Sequence, residues 1–428
     1  MTTSDAVPGA SSATDVARAQ RRTLRVLFGS QVLGGVGVGI GIAVGSLLTE
    51  QMSGSATLAG LPQTFAVLGG ALAAVPLARL MGQHGRRPGL ATGYGVGAAG
   101  ALIVVLATLT DSLLLVLTGM TLFGVSSATN LQARYAATDL ALPHRRSRAL
   151  ATVVWATTVG AVAGPNLMSP SAELALDVGL PEYAGPFGWS VLAFALASGL
   201  LLVALRPDPM RVAAELHRTG GIQMRRASVR ESFSAVRASP RASLGLASIA
   251  VSHTVMVAVM VMTPVHMHDG GMDSLNLIGL VISIHVAGMY AFSPVVGWLA
   301  DRFGQVPVAV AGWVVLLAAT ALAGTSGHNA PAQLSVGLFL LGFGWSLGLV
   351  SGSTLLSEGV PGDVRTGVQG AADLVMGLAG AGGGALAGVV VGGAGFGVLN
   401  LMAAALVLVV AGTAMVSRSR ALSRPEAS

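Results

Sequence analysis

The sequence predicts an all-α membrane protein: twelve transmembrane helices in two pseudo-symmetric six-helix bundles, with the N and C termini cytoplasmic. Three observations carry this expectation. Of 428 residues, 53% are hydrophobic and only 10% charged, and the apolar runs repeatedly exceed the roughly 20 residues a helix needs to cross the hydrocarbon core. The 24 basic residues are all arginine, and they fall at the chain ends or in alternate loops. A short segment of the first half returns in the second half at a constant offset of 219 residues.

Charged or Pro/Gly-rich breaks divide the apolar runs into spans near 24–48, 58–80, 88–109, 112–134, 149–169, 187–205, 243–265, 275–299, 307–325, 333–356, 367–391 and 395–415. Arginine occupies Arg18 to Arg25, Arg79 to Arg87, Arg134 to Arg148, Arg206 to Arg241, Arg302, Arg365 and Arg418 to Arg424. The intervening loops hold Glu50, Asp111, Glu173, Asp177, Glu182, Asp269 and Asp273 instead. Arginine-bearing loops stay on the inner side of a bilayer, which places both termini in the cytoplasm and agrees with an even number of spans. The expected location is the plasma (inner) membrane, as a multi-pass protein.

The chain then divides into a cytoplasmic tail 1–23, an N-terminal bundle 24–205, a cytoplasmic linker 206–242, a C-terminal bundle 243–415 and a second tail 416–428. The first tail is polar and lacks the short apolar core and small-residue cleavage site of a secretory signal. The linker places Val212, Leu216, Ile222, Val229, Phe233 and Val236 between arginines, a pattern suited either to a helix on the inner membrane surface or to a solvated connection.

Composition also excludes functions. There are no cysteines, so disulfides, thiolate metal sites and cysteine catalysis are absent. The net charge of +6 is dispersed over loops without interleaved aromatics to stack bases, so no nucleic acid is expected. Glycine clusters such as Gly382-Gly383-Gly384 lie inside a span, where they serve packing rather than phosphate binding. No catalytic motif is present, and the chain is expected not to be an enzyme and to need no cofactor.

The internal repeat aligns Leu80-Met81-Gly82-Gln83-His84-Gly85-Arg86-Arg87-Pro88 with Leu299-Ala300-Asp301-Arg302-Phe303-Gly304-Gln305-Val306-Pro307. Gly297-Trp298-Leu299-Ala300-Asp301-Arg302-Phe303-Gly304 resembles the loop signature of the major facilitator superfamily, after the second span of a half. The resemblance covers essentially the whole chain. It implies secondary transport by alternating access, with a binding site between the halves near the midplane. In the first half Gly85, Arg86 and Arg87 remain, but Ala78 and Gly82 replace the usual Gly and Asp. An acidic group in such a turn can meet a helix N-terminus or an arginine and hold one conformation closed, so Asp301, Arg302 and Arg86 are expected in gating. Gly160-x-x-x-Gly164-Pro165 resembles part of the antiporter motif of drug/proton exchangers, and small residues four apart also let two helices approach closely.

Met256 and Met260 stand four apart in the seventh span, and His285 and Met289 four apart in the eighth. Counting about 1.5 Å per residue from the span ends puts both pairs near the midplane. Thioether and neutral imidazole suit soft Cu(I) rather than a hard cation. The pattern resembles the CcoA-like copper importers, whose signature is M-x-x-x-M in the seventh span and H-x-x-x-M in the eighth; a related branch that carries riboflavin shares it. The resemblance implies Met256, Met260, His285 and Met289 as metal ligands. His266, Met267 and His268, at the outer end of the seventh span, are expected to capture the ion first.

Asp373 in the eleventh span is the leading proton-coupling group and His253 the second, because an ionisable side chain at membrane depth is costly and usually functional. Arg134 and Asp139 close the inner end of the fourth span as gating residues. Arg134 either pairs with a carboxylate or marks the membrane boundary by snorkelling, and the boundary role is slightly favoured. Gln31, Asn130, Asn166 and Trp345 are candidates to line a central cavity. The expected function is import of copper through a Met/His path; proton-coupled movement of a drug or organic solute, or a riboflavin-type nutrient, stays open. The expected partners are that small-molecule or metal-ion substrate and the lipid bilayer, with the chain a monomer.

Overall fold

A computed structural model describes residues 13–53, 61–218, 228–269, 275–327 and 330–422. The described residues form helices and no strand: α1 (Ala13–Ser53), α2 (Leu61–His84), α3 (Arg86–Thr110), α4 (Leu113–Ala136), α5 (Arg146–Asn166), α6 (Met168–Asp177), α7 (Ala184–Ala204), α8 (Pro209–Arg218), α9 (Val229–Ala238), α10 (Pro240–Asp269), α11 (Leu275–Tyr290), α12 (Ser293–Phe303), α13 (Gln305–Gly324), α14 (Pro331–Glu358), α15 (Arg365–Ala394) and α16 (Phe396–Leu422). Among the described residues, eleven helical segments are long and apolar enough to cross a membrane. The fifth expected span coincides with α5, which is not one of those eleven.

One expectation is corrected. The eighth span is not continuous but breaks at Phe292 into α11 and α12. Pro294 falls in the first turn of α12, and with no N–H to give to the turn before it, proline starts a helix more readily than it continues one. Within the linker the described residues include two ten-residue helices, α8 and α9. Ser228 and Glu231 cap α9 reciprocally, and its Ser232 and Val236 are buried against α10 and α15.

One apolar core runs through the first half, including Leu27, Leu90, Phe123, Phe187 and Leu201, and a second through the other half, including Val259, Leu316, Leu338 and Val368. A third cluster joins the two: Leu150, Ala151 and Val154 of α5 pack with Val296 and Ala300 of α12 and with Leu347 and Val350 of α14. Side chains such as Leu72, Leu114, Val203, Val389 and Leu401 point outward and stay exposed, as expected where the surrounding medium is lipid rather than water.

The glycine pair in α5 acts as a packing site. A Cβ on Gly160 would stand 2.4 Å from the backbone of Gly35, and one on Gly164 3.1 Å from Gly39, so α1 and α5 touch backbone to backbone. Gly160→Leu should therefore push α1 from α5, costing about 1–3 kcal/mol or more. The check is a fall in melting temperature of the detergent-solubilised protein, against a control such as Gly188→Leu, where no atom lies within 4 Å of the added carbon.

Candidate functional site between the halves

The repeat has a conformational basis. Gly85 (φ 98°) and Gly304 (φ 94°) cap the N-termini of α3 and α13 with positive φ, a region that side chains other than glycine rarely enter. These paired turns lie at the end of the molecule where the two halves meet through polar contacts. Towards α15, Ala78 packs so closely on Gly370 that a Cβ there would approach to 2.3 Å, and Gly82 faces Thr366. Towards α12, a Cβ on Gly297 would stand 2.6 Å from Ala151. The offset of 219 relates Ala78, Gly82, Ser147 and Ala151 to Gly297, Asp301, Thr366 and Gly370, so one pseudo-twofold relation describes both contacts.

The two contacts are held differently. On the α12 side, the Asp301 carboxylate accepts from the backbone N–H groups of Ser147 and Arg148, each at 3.0 Å. It thus caps the N-terminus of α5 across the interface, where the helix dipole favours negative charge. The Arg148 side chain lies 3.8 Å from the same carboxylate, and Ser147 Oγ donates to Thr354 Oγ1 at 3.3 Å. Arg302 is exposed on the last turn of α12.

On the α15 side there is no carboxylate at position 82, and Arg86 makes the link instead. It grips Asp139 with two bonds (Nε 2.9 Å, Nη2 3.2 Å), reaches Gln369 of the other half at 2.8 Å and contacts Gln132 at 3.4 Å. Gln132 passes the chain inward by donating to Asp373 Oδ2 at 2.9 Å. Arg134 Nη2 donates to Asp373 Oδ1 at 2.6 Å, and both side chains are 1% exposed. Arg134 is therefore no boundary marker. With Asp373 as its partner, it is buried in an ion pair between α4 and α15, and snorkelling does not describe it. The Arg134 Nη2 also donates to the Tyr135 hydroxyl at 3.1 Å, while its Nε and Nη1 have no hydrogen-bond partner.

Glycine also positions the imidazoles. Gly342 and Gly288 let α11 and α14 approach until a Cβ would meet backbone at 2.3 Å. This brings His285 Nδ1 to 2.8 Å from the Leu338 carbonyl. Nδ1–H must donate to that carbonyl, which leaves the Nε2 lone pair free, and Nε2 is buried without a partner. His253 rests on Gly380 of α15 and its Nδ1 accepts from Trp345 Nε1 at 3.1 Å. Gly380 lies two turns beyond Asp373 on one face of α15, about 10 Å along the axis. Tyr290 meets Trp345 edge-on with ring centroids 5.5 Å apart, so His253, Trp345 and Tyr290 form one cluster.

Other expected site residues take various places. Met256 and Met289 are buried in the second core with Trp345, and Met260 packs against it; α10 and α11 both pack along α14 and touch each other over few residues. His266 stacks on Phe396 with ring centroids 4.3 Å apart and contacts Ser326, and Met267 is fully buried. The side chains of His268 and Asn166 lie outside the described residues. Gln31 and Asn130 join Tyr94 in one hydrogen-bonded cluster: the Tyr94 hydroxyl lies 3.0 Å from Gln31 Oε1 and 2.5 Å from Asn130 Oδ1. Sequence reasoning missed Gln369 and the bridging role of Gln132. The signal for Gln369 was its spacing of four from Asp373 in an otherwise apolar span, which puts both on one helix face.

Comparison with known proteins agrees with this architecture. The family model of the Major Facilitator Superfamily matches residues 26–277 and 272–428. The chain belongs to the Major Facilitator Superfamily. An uncharacterized MFS-type transporter of Bacillus subtilis, YdeG, is 38% identical over 94% of this chain and 93% of its own. The riboflavin transporter RfnT of Brucella anthropi is 29% identical over 84% and 86%. Among solved structures, a bacterial homologue of the iron transporter ferroportin in its outward-facing state superposes with a TM-score of 0.72, at 16% identity, over 93% of this chain and 99% of that one. This superfamily member is thus an all-helical, multi-pass membrane transporter and not an enzyme.

Proposed function

We propose that this superfamily member is a proton-coupled secondary transporter that carries a small organic nutrient across the plasma membrane by rocking its two halves about the Arg134–Asp373 pair. In this reading α5 is the twelfth span, since its 21 residues reach about 30 Å at 1.5 Å per residue. Both termini are cytoplasmic, the domain limits are those read from the sequence, and the transporter works as a monomer. The observation that carries the reading is the buried 2.6 Å ion pair between the halves. Protonating Asp373 removes the charge that Arg134 holds, and the contact weakens as the proton is taken up. A flavin-type cargo has the support of the kinship with RfnT and of the aromatic and hydrogen-bonding cluster of Trp345, Tyr290 and His253.

Copper is the second reading, and one observation favours it. A metal-ligating histidine typically gives one N–H to a carbonyl and offers its other nitrogen, and His285 does the first with its Nε2 left unpaired. Proteoliposomes with an imposed pH gradient separate the two readings when supplied with labelled riboflavin or Cu(I). The proposal expects riboflavin to accumulate and to lose its pH-gradient drive in Asp373→Asn. Copper accumulation that His285→Ala abolishes, with no riboflavin uptake, replaces it with the metal reading.

A further inference from the structure

Four arginines of α1 line one open cleft. Arg18, Arg21, Arg22 and Arg25 line about 520 Å³, and all four are exposed. Spacings of three and four place them on one helix face, where like charges repel. Asp15 pairs with Arg18 at 3.4 Å, both well exposed, so solvent screens that pair. The face is nevertheless held in place. Gln20 donates to the Ala137 carbonyl at 2.8 Å and Arg22 Nε to the Ala204 carbonyl at 3.0 Å, which ties α1 across the ends of α4 and α7.

Depth narrows the ligand chemistry. The apolar run begins near Leu24, so Arg18 stands about 9 Å beyond it along the helix, within reach of the headgroup layer of a bilayer. An arginine fork matches phosphate oxygens in pairs. We propose that this cleft is a binding site for an anionic phosphate group, supplied by the headgroup of an acidic phospholipid, which fastens the N-terminal half to the membrane surface while the other half moves.

The test uses the full-length protein in nanodiscs of phosphatidylglycerol or phosphatidylcholine. Wild type is compared with the triple variant Arg18→Gln/Arg21→Gln/Arg25→Gln, which keeps the Arg22 tether. Native mass spectrometry should find phosphatidylglycerol retained by wild type and held about tenfold or more weakly by the triple variant. The corresponding Arg→Lys triple, which keeps the charge, should retain most of the binding and so separates loss of the site from loss of fold. A second arm titrates inorganic phosphate in phosphatidylcholine discs: saturable binding lost in the glutamine variant keeps the anion site but transfers its ligand from lipid to free phosphate. Equal phosphatidylglycerol retention by wild type and the glutamine variant, with no phosphate binding, overturns the site.

Discussion

Asp373→Asn should abolish transport driven by a pH gradient and lower the stability of the protein markedly. The substitution leaves the Arg134 guanidinium buried at 1% exposure with its charge uncompensated, and breaking one side of a buried pair costs about 3–5 kcal/mol. The loss should appear as a fall in melting temperature of the detergent-solubilised protein. The double variant Arg134→Gln/Asp373→Asn removes both charges and should recover most of that stability, because a matched neutral pair carries no stranded ion. It should not recover proton coupling. Recovery of gradient-driven uptake in the double variant would remove Asp373 from the coupling role; equal stability of single and double variants would show that Arg134 finds another counter-charge.

The second large effect is expected at the other inter-half contact, and it is conformational. Asp301→Ala deletes the carboxylate that caps α5 from the opposite half. Losing a helix cap costs about 0.5–2 kcal/mol, and here the cost falls only on the state in which this end is closed. The balance between closed and open should therefore shift by about two- to thirtyfold at roughly 1.4 kcal/mol per decade. The protein contains no cysteine, so His144→Cys and Phe303→Cys, both at exposed positions on opposite halves, provide a spin-label pair without background. The expected result is a new long-distance population in Asp301→Ala and none in Arg302→Ala. An unchanged distance distribution in both would confine Asp301 to local helix capping.

The first-half turn shows why part of this site was readable and part was not. Gly85 and Gly304 were legible because a positive φ limits residue choice at a single position, so the repeat survives as letters. The missing carboxylate at Gly82 was legible too. Its replacement was not, because Arg86 reaches Gln369 across 283 residues of chain, and no local spacing encodes that meeting. Arg134 misled for a related reason. At the end of an apolar run, a snorkelling arginine and one buried against a distant carboxylate have the same neighbours in sequence.

What local chemistry sufficed for was the membrane class, the helical spans and their division into two related halves, together with the polar residues worth examining in each. Hydropathy, arginine placement and turn glycines act over a few residues, and so they write themselves along the chain. What packing alone decided was the pairing: Arg134 with Asp373, separated by 239 residues, Asp301 with the start of α5, and His285 with the Leu338 carbonyl. Each depends on how closely two helices approach, a distance that glycines set between α5 and α12 and between α11 and α14. A buried charge takes its partner from whatever the opposing face presents, a property of the assembled halves and not of either segment.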